Sequence, residues 1–268
     1  MDKEILNMEE ASELFGVSIK TFIKLLKEEK VPARKIGREW RFSKKALIDW
    51  LSSGDSQAYS SSETETRDFF NKVAPRWEEI SREYFDESVK NKLISLNILE
   101  SDMTVMDLGA GDGLLSRAVA EYVKKVISVD ISSEMLKELK RKADISGIKN
   151  IETLESDGQD LPVKDSSIDA VLAGMYLHHI EDPELAVREM YRVLKPGGIA
   201  FLADFYQHSN KELKENMHDV WAGFNPEEVR IWFERCGFKN VSIEAALNGK
   251  EEKKYRKLED IFVLTAEK

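Results

Sequence analysis

TVMDLGAGDG, residues 104–113, decides how this chain is read. Residues 105–108 are a short apolar run broken only by Asp107, the pattern of a buried strand. The run passes straight into Gly109, Ala110, Gly111, Asp112 and Gly113, and a helix is predicted over residues 114–122. A glycine-rich bend between strand and helix lets the backbone approach a ligand, because no Cβ stands in the way. A G-x-G-x-G string alone is weak evidence, since dinucleotide enzymes and plain tight turns share it. Its surroundings strengthen it.

Asp107 lies at the strand end, just before the first glycine, where a carboxylate suits a cationic amino group. Asp107 and Asp112 together make an acidic tip, which speaks against a pyrophosphate on the helix N-terminus. A second strand, 125–129, ends in Asp130, about twenty residues past the glycines and placed for two ribose hydroxyls. A third, 151–154, leads to Glu155, Ser156, Asp157 and Gly158, where Asp157 can accept from an adenine amine. Three acids at three successive strand ends match the polar parts of one ligand, S-adenosylmethionine (SAM).

Working outward, residues 67–268 alternate apolar strand runs with amphipathic helical patterns, the signature of an α/β domain with a mostly parallel sheet. The remaining strands are expected at 167–173, 199–203, 241–245 and 262–266. A chain of 268 residues suits one large or two unequal domains. No apolar run approaches the roughly 20 residues needed to cross a bilayer, and the first ten residues lack the form of a signal peptide. A single cysteine, Cys236, excludes an internal disulfide and a cysteine-based zinc site, so the cytoplasm is the expected compartment and no metal is expected.

The strings VMDLGAGDGLLS, VISVDIS-x-x-M, ESDGQDLPVKDSSIDAVLAGMYLHHIEDP and EMYRVLKPGG resemble those of class I SAM-dependent methyltransferases of the type 11 group. The resemblance implies a Rossmann-like seven-stranded sheet of order 3-2-1-4-5-7-6. It also implies that Gly109, Ala110, Gly111 and Gly113 line the cofactor, that Ile131 and Met135 flank its adenine and ribose, and that Asp157 and Gly158 close over the base. By the same resemblance Ala173, Gly174 and Met175 face the methyl donor. RDFFNKVAPRWEEISREYF, residues 67–85, resembles the lid helices of quinone-pathway and similar enzymes. Phe70 is expected to pack there, and Trp77 and Tyr84 are candidate cofactor or substrate contacts. The C-terminal stretch from HDVWAGF onward is similar to methyltransferases fused to metal-sensor-like winged helices.

The net charge of −10 argues against nucleic acid, yet its distribution does not. Residues 18–45 hold ten Lys or Arg against three Glu, a local +7 that leaves the remainder at −17. A basic island on an acidic chain is the footprint of a phosphate-bearing partner. Here an apolar helical face at Met8, Ala11, Leu14 and Phe15 ends at Gly16. Ser18 can cap a second helix with Phe22, Ile23, Leu25 and Leu26 as its apolar face, making a helix-turn-helix. VPARKIGREWRF reads as a β-hairpin wing around Gly37, and Ser43 can cap a last helix. These fifty residues resemble the excisionase/MerR-type winged helix-turn-helix family. The resemblance implies that Ser18, Lys20, Thr21 and Lys24 face bases or phosphates, and that Arg34, Lys35, Arg38 and Arg41 on the wing pair with phosphate. One small module suggests a homodimer for useful specificity.

The domains expected are thus a winged helix-turn-helix over 1–52, a flexible Ser-rich linker over 53–65, and a methyltransferase domain over 66–268 with lid 66–100 and core 101–268. Methyl transfer from a sulfonium needs alignment more than acid–base machinery; a poorly ionised acceptor needs a base, for which His178 and His218 are the candidates, with His179 structural. Trp221 is a further substrate candidate. No N/D-P-P-Y string is present, which argues against amino methylation of DNA bases, and one cysteine cannot replace the several used on arsenite. The expected function is methyl transfer to an unidentified small-molecule or protein acceptor by an enzyme tethered to DNA. A regulator using SAM or S-adenosylhomocysteine as effector, and a protein-binding module, stay open beside it.

Overall fold

The computed structural model describes residues 3–28, 31–37, 39–53, 56–82, 87–246 and 260–268. The chain divides into two compact units, Met1–Ser62 and Glu63–Lys268.

The first unit contains β1 (Ile5–Leu6), α1 (Met8–Leu14), α2 (Ile19–Glu28), β2 (Arg34–Ile36), β3 (Glu39–Ser43) and α3 (Lys44–Ser53). Each helix starts where a small polar side chain takes an orphan backbone N–H. Asn7 and Glu10 cap α1 reciprocally, both bonds being 2.9 Å. Ser18 Oγ accepts from Thr21 N at 3.1 Å, and Ser43 Oγ from Ala46 N at 3.3 Å. Gly37, at φ +65°, turns the hairpin that sets Arg34 opposite Arg41. β1, which the sequence did not announce, pairs with the other edge of β3. Leu6, Ala11, Phe22, Val31, Phe42 and Leu47 form the core. Among the described side chains of α2, Phe22 is buried, Leu25 and Leu26 pack partly buried against that core, and Ile23 is 37% exposed.

The Ser-rich stretch expected as a flexible linker is helical from Ser56: α4 runs Ser56–Val73. No glycine or proline interrupts those eighteen residues, and Ser, Gln and Glu are tolerated in a helix, so composition alone misjudged them.

In the second unit α4 is followed by a 3₁₀ turn at Ala74–Arg76, α5 (Trp77–Ser81) and α6 (Ser88–Ser95). Then come β4 (Thr104–Leu108), α7 (Leu114–Val119), β5 (Lys125–Asp130), α8 (Ser133–Ile145), β6 (Ile151–Glu155), β7 (Ile168–Gly174), α9 (Pro183–Val193) and β8 (Leu194–Phe205). α10 (Lys211–Asn216), α11 (Pro226–Cys236), β9 (Lys239–Ala245) and β10 (Ile261–Glu267) complete it. The sheet order is β6-β5-β4-β7-β8-β10-β9; renumbered from the first strand of this sheet, that is 3-2-1-4-5-7-6. β4 to β8 pair in parallel, and β10 runs antiparallel to both neighbours.

Strands covered on both faces alternate between two cores rather than between core and water. Met106, Val171 and Leu202 face one core with Val187 and Met190 of α9 and Phe233 of α11. Their neighbours Val105, Leu172 and Phe201 face the other, with Val89 and Leu93 of α6 and Leu115 of α7. The order reverses at β4: the chain first builds outward through β5 and β6, then returns to β7 on the other side. The crevice beyond the C-terminal ends of β4 and β7 is where such sheets receive ligands.

Candidate cofactor and acceptor site

β4 delivers Gly109, Gly111 and Gly113 into left-handed backbone at φ +64°, +53° and +88°. Ala110 N donates to Val129 O at 2.9 Å, stitching the bend to β5. Asp130, at the tip of β5, takes Gly111 N on one carboxylate oxygen and Ser132 N on the other, each at 2.8 Å. Burial pushes its carboxyl up to about 6 against the pull of these backbone donors. Both oxygens keep a lone pair for a further donor. Ser132 caps α8 at Met135 N, 3.1 Å, and donates to Asn71 Oδ1 of α4 at 2.8 Å, which ties the helix before the core to the crevice.

Asp107 is buried at the end of β4, and its Oδ2 accepts from Ser116 Oγ at 2.5 Å; Ser116 in turn meets Ser128 Oγ at 2.7 Å. Burial pushes Asp107 up to about 7, with the Ser116 hydrogen bond opposing. Asp112 does not join it as a second free acid. Its carboxylate binds Lys142 Nζ at 2.6 Å, and Lys142 reaches Glu78 of α5 at the same distance. The acidic tip read from the sequence is therefore one carboxyl, Asp107, beside a compensated pair.

Asp157, past the end of β6, folds back so that Oδ1 accepts from Gln159 N at 2.9 Å. Its carbonyl accepts from Tyr176 Oη at 3.1 Å. The sequence reading missed Tyr176, whose ring fills the space between two glycines. A Cβ on Gly109 would stand 2.4 Å from Tyr176 Cδ2, and one on Gly158 2.1 Å from its hydroxyl. The sequence showed only an aromatic immediately after Ala173-Gly174-Met175, with nothing to mark what its ring fills. Of those three, Ala173 is fully buried at the end of β7. A Cβ on Gly174 would meet Leu115 at 2.6 Å. Met175 holds the left-handed φ of +56°, a strained setting for a non-glycine residue. Ile131 is half-buried, and Met135 is buried against Phe70 and Ala74. Trp77 Nε1 lies 3.5 Å from where a Gly111 Cβ would be, so the indole borders the glycine bend. Tyr84 lies outside the described residues.

Beyond β7 a 3₁₀ turn, Leu177–His179, presents two histidines. His178 is buried, and its Nδ1 meets Asp204 Oδ1 of β8 at 2.7 Å. Burial opposes its protonation, but the charge and hydrogen bond of Asp204 outweigh that and raise it. Burial, then the neighbouring His178, hold His179 well below the usual range. Asp219, after α10, is buried beside both rings and pushed up to about 6 by burial. Neither Asp204 nor Asp219 was singled out from sequence, since each is more than twenty residues from the histidines. The ligand-capable atoms of His178, His179 and Asp219 lie within 4.8 Å of one another. His218 stacks on Phe69 of α4 at 5.5 Å between ring centroids, and His179 meets Phe70 edge-on at 5.0 Å. Trp221 is 41% exposed, with its indole N–H donated to Ile180 O at 2.8 Å.

In the first unit Arg34, Lys35 and Thr21 are exposed. Ser18 is occupied with capping, and its hydroxyl meets Thr21 Oγ1 at 2.8 Å, so it serves the turn rather than standing free. Arg41 pairs with Glu39 and donates to Trp40 O at 3.0 Å. Lys20 and Lys24 lie on α2, and Arg38 falls outside the described residues.

A doubly wound sheet with carboxyls at three neighbouring strand tips around a glycine bend defines a Rossmann-like nucleoside-binding domain. Residues 106–202 match the family model described as a methyltransferase domain, and residues 5–55 that of a helix-turn-helix domain. The chain thus carries a segment, residues 106–202, that matches a methyltransferase domain and, before it, one that matches a helix-turn-helix domain. It is 32% identical over 145 residues to 2-methyl-6-phytyl-1,4-hydroquinone methyltransferase 1 of Oryza sativa, covering 53% of this chain and 43% of that one. It is 28% identical over 200 residues to the demethylmenaquinone methyltransferase of Desulfitobacterium hafniense, covering 71% and 75%. The chain spans between 40% and 58% of the length of six curated relatives it matches. A SAM-dependent methyltransferase of Aquifex aeolicus superposes with a TM-score of 0.55 at 22% identity, covering 71% of this chain and 97% of that one. The [4+2]-cyclase SpnF superposes at 0.62 with 16% identity, covering 77% and 96%. The fold is shared across different reactions, so the chemistry has to be argued from the site. Among the described residues no helix is long and apolar enough to cross a membrane.

Proposed function

We propose that the protein transfers a methyl group from SAM to a small-molecule acceptor while its N-terminal domain holds DNA. One observation carries the first half: Asp107, Asp130 and Asp157 sit at the ends of three adjacent parallel strands around Gly109–Gly113. In this reading Asp130 takes the ribose hydroxyls, Asp157 and Gly158 border the base, and Asp107 faces the methionine end. Ala110, Ile131, Met135, Gly174 and Met175 complete the cofactor surface.

A sulfonium methyl is already activated, so the residues contribute alignment and exclusion of water. Phe69, Phe70 and Trp77 form an aromatic cover packed against His218, His179 and Met135. The acceptor is placed beneath that cover, beside His178 and His179. His178, held by Asp204, lines the acceptor side of the site beside His179, and His218 and Trp221 border the acceptor. The names of the chain's relatives make a hydroquinone the first acceptor to try.

The basic island with exposed Arg34 and Lys35 supports DNA as the partner of the first unit, with phosphate contacts from the wing. The setting we assign is cytoplasmic, and two copies are needed for a specific DNA site. The test is S-adenosylhomocysteine production by the full chain over a panel of hydroquinones, phenols and amines. Turnover with at least one acceptor is expected. Absence of product across the panel, together with no SAM binding, would overturn the reading.

A further inference from the structure

Asp219 is buried, and neither of its carboxylate oxygens has a hydrogen-bond partner among the described residues. His179 Nδ1 is likewise buried and unpartnered. An unsatisfied buried carboxylate is rare and calls for an explanation. Asp219 Oδ1 faces His179 Nδ1 at 3.5 Å and His178 Nε2 at 3.7 Å. Those separations are too long for good hydrogen bonds. They are close to the spacing a shared ion leaves, and the ligand-capable atoms of all three residues lie within 4.8 Å of one another. Two metal–ligand bonds of about 2.1 Å at a tetrahedral angle set their ligand atoms about 3.4 Å apart.

The supporting groups fit the same purpose. Asp204 accepts from His178 Nδ1 at 2.7 Å, which places the proton there and leaves the Nε2 lone pair for Asp219's side of the ring. Carboxylate–histidine–metal relays are built this way. Val220 N and Trp221 N both donate to His178 O, at 2.9 and 3.0 Å, so the segment bearing Asp219 is clamped to the histidine turn. His218, immediately before Asp219, holds φ +58°, a strained conformation of the kind kept at functional sites.

We propose that His178 Nε2, His179 Nδ1 and the Asp219 carboxylate bind one divalent transition-metal ion of the zinc class, with a fourth position open to an oxygen ligand. Two imidazoles select against magnesium and calcium, which prefer all-oxygen shells. From the sequence no metal is expected, since the carboxylate lies forty residues from the histidine pair, outside any compact ligand motif.

The full-length protein, freed of metal by chelator and without SAM, is titrated with cobalt(II) and then zinc(II). One cobalt per chain with visible d–d bands is expected, displaced by zinc and not by magnesium. Asp219→Asn and His179→Gln should each weaken cobalt binding at least tenfold, and Asp204→Asn by about 10–100-fold through the second ring nitrogen. A readout without mutation guards against unfolded variants. The chain has four histidines, and zinc should shift the imidazole nitrogen resonances of two of them. Absence of cobalt bands in the wild type, no shifted imidazole, or binding unchanged in both Asp219→Asn and His179→Gln would overturn the proposal. A histidine that only moves protons gives the first of these results. Because SAM is absent from the assay, failure here leaves the methyl-transfer reading standing.

Discussion

Replacing Gly109 by alanine should damage the protein through one ring. The glycine holds φ +64°, and the new Cβ would stand 2.4 Å from Tyr176 Cδ2, 3.0 Å from Cγ and 3.1 Å from that residue's own Cβ. A left-handed alanine costs about 1–2 kcal/mol. Carbon atoms settle at about 3.5–4.0 Å, so the ring must retreat by roughly 1 Å. It is a buried ring, and forced repacking costs about 1–3 kcal/mol. The retreat also strains the bond from Tyr176 Oη to Asp157 O, worth about 1 kcal/mol. The total is on the order of 4 kcal/mol. Urea unfolding of wild type, Gly109→Ala, Tyr176→Ala and the double variant separates the parts. Removing the ring should rescue most of the steric cost and leave the backbone cost, giving a coupling of about 2–3 kcal/mol between the two sites. If the two substitutions add, or if Gly109→Ala loses less than about 1 kcal/mol, the contact between glycine bend and tyrosine is not what the structure describes.

Three other outcomes follow from the same geometry. Lys142→Met should lower stability by about 3 kcal/mol, because it strands the buried Asp112 carboxylate; Asp112→Asn in the same background should restore part of it, and an additive result would contradict the pairing. Burial raises Asp107 to about 7 and Asp130 to about 6, above their unfolded values, so the folded protein holds extra protons. Their contribution is fully present below about pH 4 and is lost as pH rises through 6 and 7; the melting temperature of wild type should fall across that window more steeply than that of Asp107→Asn, and parallel profiles would refute it. Arg34→Ala and Lys35→Ala should each weaken DNA binding about equally on all sequences and flatten its salt dependence by nearly one unit in the log–log slope; a mobility-shift series at stated salt checks this.

The sheet was legible because strands covered on both faces show as apolar runs, and because turns and acids mark their ends. VMDLGAGDG marked β4, the bend and Asp107 in one string. The caps at Ser18 and Ser43 were equally plain, since capping is a local interaction three residues long. What was not legible depended on distance or on context. α4 was hidden by a Ser-rich composition that suits a linker and is also tolerated in a helix. Asp112 looked like a ligand-facing acid until Lys142, thirty residues on, was found to bind it. Asp204 and Asp219 meet the histidine pair only through the return of β8 and the segment after α10. Tyr176 was passed over because a tyrosine among LAGMYLHHI reads as core, and only the missing Cβ atoms of Gly109 and Gly158 reveal what its ring fills.

Calorimetry of SAM against wild type and Asp130→Ala tests the central claim most directly. The wild type should bind one SAM per chain. The variant, deprived of the acceptor at the tip of β5, should bind it more weakly by roughly 1–3 kcal/mol, with circular dichroism showing the sheet retained. A wild type that gives no heat with SAM but binds a nicotinamide dinucleotide, or a variant that binds SAM as tightly as the wild type, would contradict the account.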